Sequence, residues 1–208
     1  MKIFLSTELH YFPCINWFMD VIAADGVLFN NDRLFKRSTF RNRMVVPGSN
    51  GIVSLSIPLE GGRSVKLPFH KINIDYSSTW QRDHFRSLES VYGNAPFFFQ
   101  YRDELSKLYQ HQIKLLVDWN LCCLNWIFSK TKLAAPNFLS SFDPGEAYLL
   151  QERNDFYLPS NHKNTEKGPF EKYPQIFEDK IGFQPNMSVL DLLFNLGPKG
   201  INHLVNSK

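Results

Sequence analysis

Residues 2–29 read KIFLSTELHYFPCINWFMDVIAADGVLF, and the order of apolar runs and breaks in this stretch decides the fold. Residues 2–6 form a short apolar run that ends in polar residues, which predicts a first strand. After Pro13, apolar side chains fall at Ile15, Phe18, Met19, Ile22 and Ala23, the spacing of one helical face. Asp25-Gly26 stops that helix, and Val27-Leu28-Phe29 resumes as a strand. A strand, a helix of about ten residues and a second strand predict a parallel, right-handed βαβ unit near the minimum crossover length.

Outward from this unit, Pro47-Gly48-Ser49-Asn50-Gly51 is a turn cluster. Beyond it, Val53, Leu55, Ile57 and Leu59 alternate with Ile52, Ser54, Ser56 and Pro58, the period of a half-buried strand. Glu60-Gly61-Gly62-Arg63 reads as a second turn, and Ile72-Asn73-Ile74 as a further strand. Trp80, His84, Phe85, Leu88 and Val91 mark a helix stopped by Tyr92-Gly93. Leu105, Leu108, Leu115, Trp119, Cys122 and Trp126 step by threes and fours, apart from an interruption at Gln112, which predicts one long helix over about 103–130. Residues 137–174 are rich in Pro, Gly and Asn and read as long loops. Ser188, with Asp191 three residues on, opens a last helix burying Leu190, Leu193 and Phe194; Gly197-Pro198 ends it. The expected fold class is α/β. A three-layer-like mixed sheet is opened by the βαβ unit, with an added β-hairpin region and a long helix in the C-terminal half. A single domain spans residues 1–208.

Composition narrows the function classes. The chain is 43% hydrophobic and 21% charged, ordinary globular values, and 15% aromatic, with 19 Phe to fill a core. A net charge of +3 is too small to argue by itself for nucleic acid or membrane. Cys14, Cys122 and Cys123 make an odd set without CxxC spacing, so neither a disulfide framework nor a zinc knuckle is expected. No apolar stretch has the roughly 20 residues needed to span a bilayer, and the N-terminus meets Glu8 and His10 too early for a signal peptide. The expected location is cytoplasmic. His70, His111 and His162 lack partners at metal spacing, and no phosphate-binding glycine loop occurs, so neither metal nor cofactor is expected.

The densest chemical signal is FKRSTFRNR at residues 35–43. With Arg33, it places Lys36, Arg37, Arg41 and Arg43 within eleven residues, beside the neutral donors Ser38, Thr39 and Asn42. Planar guanidinium forks suit phosphate and carboxylate, so the stretch reads as a clamp for an anionic ligand. Its bland alternative is a solvated face paired to acids such as Asp32. A nucleic-acid reading is weaker, because the chain adds no second basic stripe. Glu8, His10, Tyr11 and Cys14 lie between the first strand and the first helix, where open α/β sheets hold ligands. Glu8 and His10 are two residues apart and would share one face of an extended segment, with His10 as general base and Glu8 orienting it. Cys14 sits where a helix N-terminus favours thiolate, although burial among Phe12, Pro13 and Ile15 would make it inert. His84 shares a helix face with Trp80 and Leu88 and reads as a half-buried supporting histidine. Asp191 reads as a helix-start residue.

In this order, these segments resemble the WbqC-like family. The resemblance rests on Tyr11-Phe12-Pro13 with the following helix and Ala24-Asp25, on Phe35-Lys36-Arg37-Ser38 with Arg41-Asn42-Arg43, and on Trp80 and His84. It continues through Tyr92-Gly93-Asn94-Ala95-Pro96-Phe97 and Tyr173-Pro174-Gln175, and ends on Ser188-Val189-Leu190-Asp191-Leu192-Leu193-Phe194-Asn195-Leu196-Gly197-Pro198. Ser6-Thr7-Glu8-Leu9-His10 stands where many members carry a Gln-Pro opening. The resemblance implies a part in O-antigen or other surface-polysaccharide biosynthesis. Joined to the charge cluster, it leads to the expectation of a transferase acting on a nucleotide-activated or otherwise anionic sugar. Two alternatives stay open: a non-catalytic module binding an anionic glycan or nucleotide, and a Cys14-dependent acyl transferase or hydrolase. The expected partner is an anionic small molecule, with no integral membrane contact.

Overall fold

The structure is a computed structural model that describes residues 2–62, 66–139, 141, 148–153, 157–160 and 172–206. Strand β1 (Lys2–Thr7), helix α1 (Ile15–Ala23) and strand β2 (Gly26–Phe29) form the expected βαβ unit, with Leu5 beside Val27 in parallel register. Two short strands complete an all-parallel sheet in the order β5-β2-β1-β6: β5 (Asn137–Leu139) beside β2, and β6 (Tyr148–Glu152) beside β1. Both strands fall in the region read as loop. They are too short to show a pattern, and their pairing comes from the exposed edges that β1 and β2 offer.

The α1 face against the core differs from the apolar stripe in the sequence. Ile15, Trp17, Phe18 and Val21 are buried, whereas Met19 and Ile22 are half-buried and Ala23 is exposed. Trp17 fixes this rotation, because its Nε1 donates to Thr7 Oγ1 (3.0 Å) and to the Glu8 carbonyl (3.0 Å), and its ring stacks on Phe29. Full burial of each such side chain contributes about 1.5–3 kcal/mol.

Strands β3 (Arg43–Gly48) and β4 (Gly51–Ser56) make a separate antiparallel hairpin across the expected turn cluster. Helix α2 (Trp80–Tyr92) follows its sequence pattern. The long helix expected over 103–130 is instead two helices, α3 (Phe98–Leu108) and α4 (Leu116–Thr131). The break has a backbone cause. Residues 114–116 run alongside 72–74, with Ile74 N–H donating to the Lys114 carbonyl (2.9 Å) and Leu116 N–H to the Ile72 carbonyl (2.9 Å). The predicted strand at 72–74 therefore exists as short bridges that pull the intervening segment out of helix.

A four-residue helix α5 (Glu178–Ile181) precedes α6 (Val189–Asn206). Ser188 opens α6 as expected, its Oγ accepting from Leu190 N–H (3.3 Å) and donating to the Phe12 carbonyl (2.9 Å). The expected stop is a kink: Gly197 lies at φ 65°, and helix resumes after it. A side chain there would meet the Phe97 ring at 2.7 Å, so only glycine fits. Asp191 stands in the first turn and is also buried, accepting from Tyr173 Oη (2.6 Å), Gln175 Nε2 (2.7 Å) and Asn195 Nδ2 (3.1 Å). It thereby pins the Tyr173-Pro174-Gln175 segment to α6. Among the described residues, no helix is long and apolar enough to cross a membrane.

Candidate functional site

In the parallel sheet, β1, β2 and β5 step outward on one side, and β6 lies on the other side of β1. Strand order therefore reverses between β1 and β6, and the crevice at the carboxyl ends of such strands is where open α/β sheets take ligands. The strand ends are tied together. Asn30 N–H donates to the Thr7 carbonyl (2.9 Å), Asn30 Nδ2 to Ser6 Oγ (2.8 Å), and Arg153 N–H to the Ser6 carbonyl (2.9 Å).

From this end the chain leads into Glu8, Leu9 and His10, all buried. Glu8 does not orient His10. Its carboxylate instead accepts from Arg41 Nη2, in an ion pair whose side chains are only 2% and 1% exposed. Arg41 Nη1 donates to the Leu34 carbonyl (2.9 Å), and the guanidinium lies over Phe69 (5.3 Å) and Phe35 (5.9 Å). Asn120 of α4 joins the two chain segments, its Nδ2 donating to the carbonyls of Arg41 (2.6 Å) and Leu9 (3.3 Å).

His10 is 1% exposed and packs against the rings of Trp17 (5.1 Å), Phe40 (5.8 Å) and Tyr157 (6.1 Å). Neither of its ring nitrogens has a hydrogen-bond partner among the described residues. Arg41 Nε and Asn120 Oδ1 are likewise buried without partners. Each such atom costs about 1–3 kcal/mol, so the two on the His10 ring ask for a reason. Burial, with the Arg41 charge adding to it, lowers the His10 pKa to about 3, which makes the imidazole neutral near pH 7. A neutral imidazole offers one donor and one acceptor. Two residues on, Phe12 holds φ 36°, a left-handed backbone that a bulky residue adopts only under constraint.

The cationic stretch does not form one clamp. Arg41 turns inward to Glu8 because a buried carboxylate awaits it there. Arg43 opens β3 and donates from Nε to Ser56 Oγ (3.1 Å), while Asn42 Nδ2 binds the Ile57 carbonyl (2.8 Å), so both serve the hairpin. Arg33, Lys36 and Arg37 are exposed on the loop that leaves the carboxyl end of β2. That loop reaches the site through Phe40, whose carbonyl accepts from Tyr11 N–H (3.0 Å).

Cys14 is buried, and burial pushes its thiol up to about 12, overriding the helix N-terminus. His84 makes no hydrogen bond to His10. Its Nδ1 shares a hydrogen bond with Tyr11 Oη (3.0 Å), Tyr11 also bonds Tyr109, and desolvation lowers the His84 pKa to about 4. Asp32 is 98% exposed and lies 3.1 Å from His70 Nδ1, paired with a histidine and not with the arginines. Among the described residues, no three His, Cys, Asp or Glu side chains gather as metal ligands.

Sequence reasoning missed Trp17, Asn120, Tyr157 and Asp20, whose carboxylate accepts from Tyr157 Oη. Asn120 alone left a signal, as a polar residue inside the apolar seam of α4.

A family model described as the WbqC-like protein family matches residues 9–145, more than half of the chain. The chain is also similar to the uncharacterized protein Rv1507c of Mycobacterium tuberculosis, 26% identical over 238 residues with 98% of each chain covered. No solved structure matches the chain.

Proposed function

The chain belongs to the WbqC-like protein family, and on that premise we propose that it is a transferase acting on a nucleotide-activated or otherwise anionic sugar in surface-polysaccharide biosynthesis. The ligand binds at the carboxyl end of the parallel sheet. One observation carries this reading: His10, buried where strand order reverses, has two ring nitrogens without hydrogen-bond partners among the described residues. A sugar hydroxyl or amide supplies the acceptor and donor that the neutral imidazole lacks. Lys36 and Arg37, exposed on the neighbouring loop, attract the phosphate or carboxylate end. The Glu8–Arg41 pair is the rigid floor that fixes His10 between β1 and the loop before β3.

For the transfer step, His10 takes the proton of an attacking hydroxyl or amine as its O or N bonds the sugar's anomeric carbon. The bond from that carbon to the phosphate oxygen breaks, and the nucleotide leaves as its phosphate anion toward Lys36 and Arg37. An imidazole held near 3 is a weak base, so it performs this role once a polar ligand has offset its desolvation. The same low basicity favours a second reading, a non-catalytic module that binds the same ligand class without turnover. The buried, raised thiol of Cys14 speaks against cysteine chemistry, and none is proposed.

A thermal-shift series with nucleotide-sugars, free nucleotides and free sugars tests the proposal, because ligand binding raises apparent stability by mass action. Nucleotide-sugars are expected to raise Tm, His10→Ala to abolish the advantage of nucleotide-sugar over nucleotide, and Lys36→Ala with Arg37→Ala to weaken both. Equal shifts for wild type and His10→Ala with every compound would remove His10 from the site. Product formation with an acceptor then separates transferase from binding module.

A further inference from the structure

For a ligand to reach His10, one of the rings around it must move. Trp17 is fixed by two hydrogen bonds from its indole nitrogen, to Thr7 Oγ1 and the Glu8 carbonyl, and is fully buried in the core. Phe40 is 1% exposed, and its own carbonyl is tied to Tyr11 N–H. Tyr157 differs in kind. It comes from the chain beyond β6, stands edge-on to His10 at an interplanar angle of 81°, and donates its hydroxyl to the Asp20 carboxylate on α1. Asp20 is half-exposed, so water competes for that bond. Arg153 Nε lies 4.0 Å from the same carboxylate, and Arg153 N–H is anchored to the Ser6 carbonyl at the end of β1.

We propose that Tyr157 is the movable wall of the His10 recess: Asp20 latches it closed, and its release admits the uncharged, hydroxyl-bearing part of the ligand to His10. The inference rests on the reading that the ligand contacts His10. It adds an orientation, with the sugar inward among aromatic rings and the phosphates outward toward Lys36 and Arg37. A neutral imidazole walled by aromatic rings suits a sugar ring and not a phosphate, because the nearby guanidinium is already neutralised by Glu8.

Labelling with diethylpyrocarbonate reads this wall without any ligand. An unprotonated ring nitrogen attacks the reagent's carbonyl and becomes carbethoxylated, and the other half departs with the ring proton as carbon dioxide and ethanol. Labelling near pH 7 is followed histidine by histidine by peptide mass spectrometry, with exposed His111 as reference and buried His84 as control. Wild-type His10 is expected to label far more slowly than His111. Asp20→Ala and Tyr157→Phe each remove the hydrogen bond between hydroxyl and carboxylate and are expected to raise the His10 rate at least about tenfold, with His84 unchanged. An unchanged His10 rate in both variants overturns the proposal, and so does equal acceleration of His84, which signals general loosening. Unchanged labelling in a protein that binds nucleotide-sugars through His10 removes the wall alone. Accelerated labelling without ligand binding removes the ligand reading alone.

Discussion

The guanidinium of Arg41 and the carboxylate of Glu8, 33 residues apart in the chain, form an ion pair sealed from water at the end of the parallel sheet. The arginine is thereby a structural partner of β1 and not a free clamp.

Truncating one side of this pair leaves the other charged and buried, which costs about 3–5 kcal/mol. Arg41→Ala and Glu8→Ala are each expected to lower the urea-unfolding free energy by that order. The pair replacement Glu8→Gln with Arg41→Met is expected to cost less than either. Arg41→Lys is expected to rescue poorly, because an ammonium cannot reach Glu8 and the Leu34 carbonyl together while lying over Phe69. An Arg41→Ala protein of normal stability that has lost only ligand affinity would instead favour the clamp.

The thiols give a second check. With its pKa near 12, Cys14 is about one part in ten thousand thiolate at pH 8. Iodoacetamide at that pH is expected to label half-buried Cys122 first and to leave Cys14 and Cys123 unmodified in the folded protein. Mass spectrometry showing preferential alkylation of Cys14 would restore the nucleophile reading.

Much of this architecture was legible from local pattern. The βαβ unit, α2, the hairpin turn and the start of α6 all follow from periodicity and breakers, because each depends on neighbours in sequence. What failed depends on distant partners. The apolar steps from Leu105 to Trp126 run across a break imposed by pairing with residues 72–74, and no Pro or Gly marks it. Strands β5 and β6 exist because β1 and β2 offer edges. At the site, the cationic run was visible as composition. Which cation turns inward is decided by Glu8, and the tertiary register that joins residues 8 and 41 leaves no trace at either position. The position of His10 beyond β1 was readable, but the lack of partners for its nitrogens among the described residues was not.

Stability should fall with acid in a defined window. His10 and His84 are held neutral with pKa values of about 3 and about 4, against 6.5 for free imidazole. Between these values and 6.5 the unfolded chain binds more protons than the folded one. Each histidine therefore contributes stability that is complete above pH 6.5 and lost, at roughly 1.4 kcal/mol per pH unit, as pH falls toward its folded value. Burial raises the Asp191 carboxyl above its usual range, which acts in the opposite sense. Urea unfolding at several pH values between 4 and 7, compared for wild type and His84→Gln, isolates the histidine contribution. The variant is expected to show the shallower slope, and identical slopes would place His84 in a solvated setting.

The most direct measurement follows the imidazole nitrogens of His10 by NMR in protein labelled with 15N-histidine, before and during titration with nucleotide-sugars. A neutral ring is expected at pH 7, with its nitrogen signals moving on addition of a nucleotide-sugar and staying in place on addition of the nucleotide alone. Nitrogen signals that stay fixed while a nucleotide-sugar raises the Tm of the same sample would contradict a ligand contact at His10.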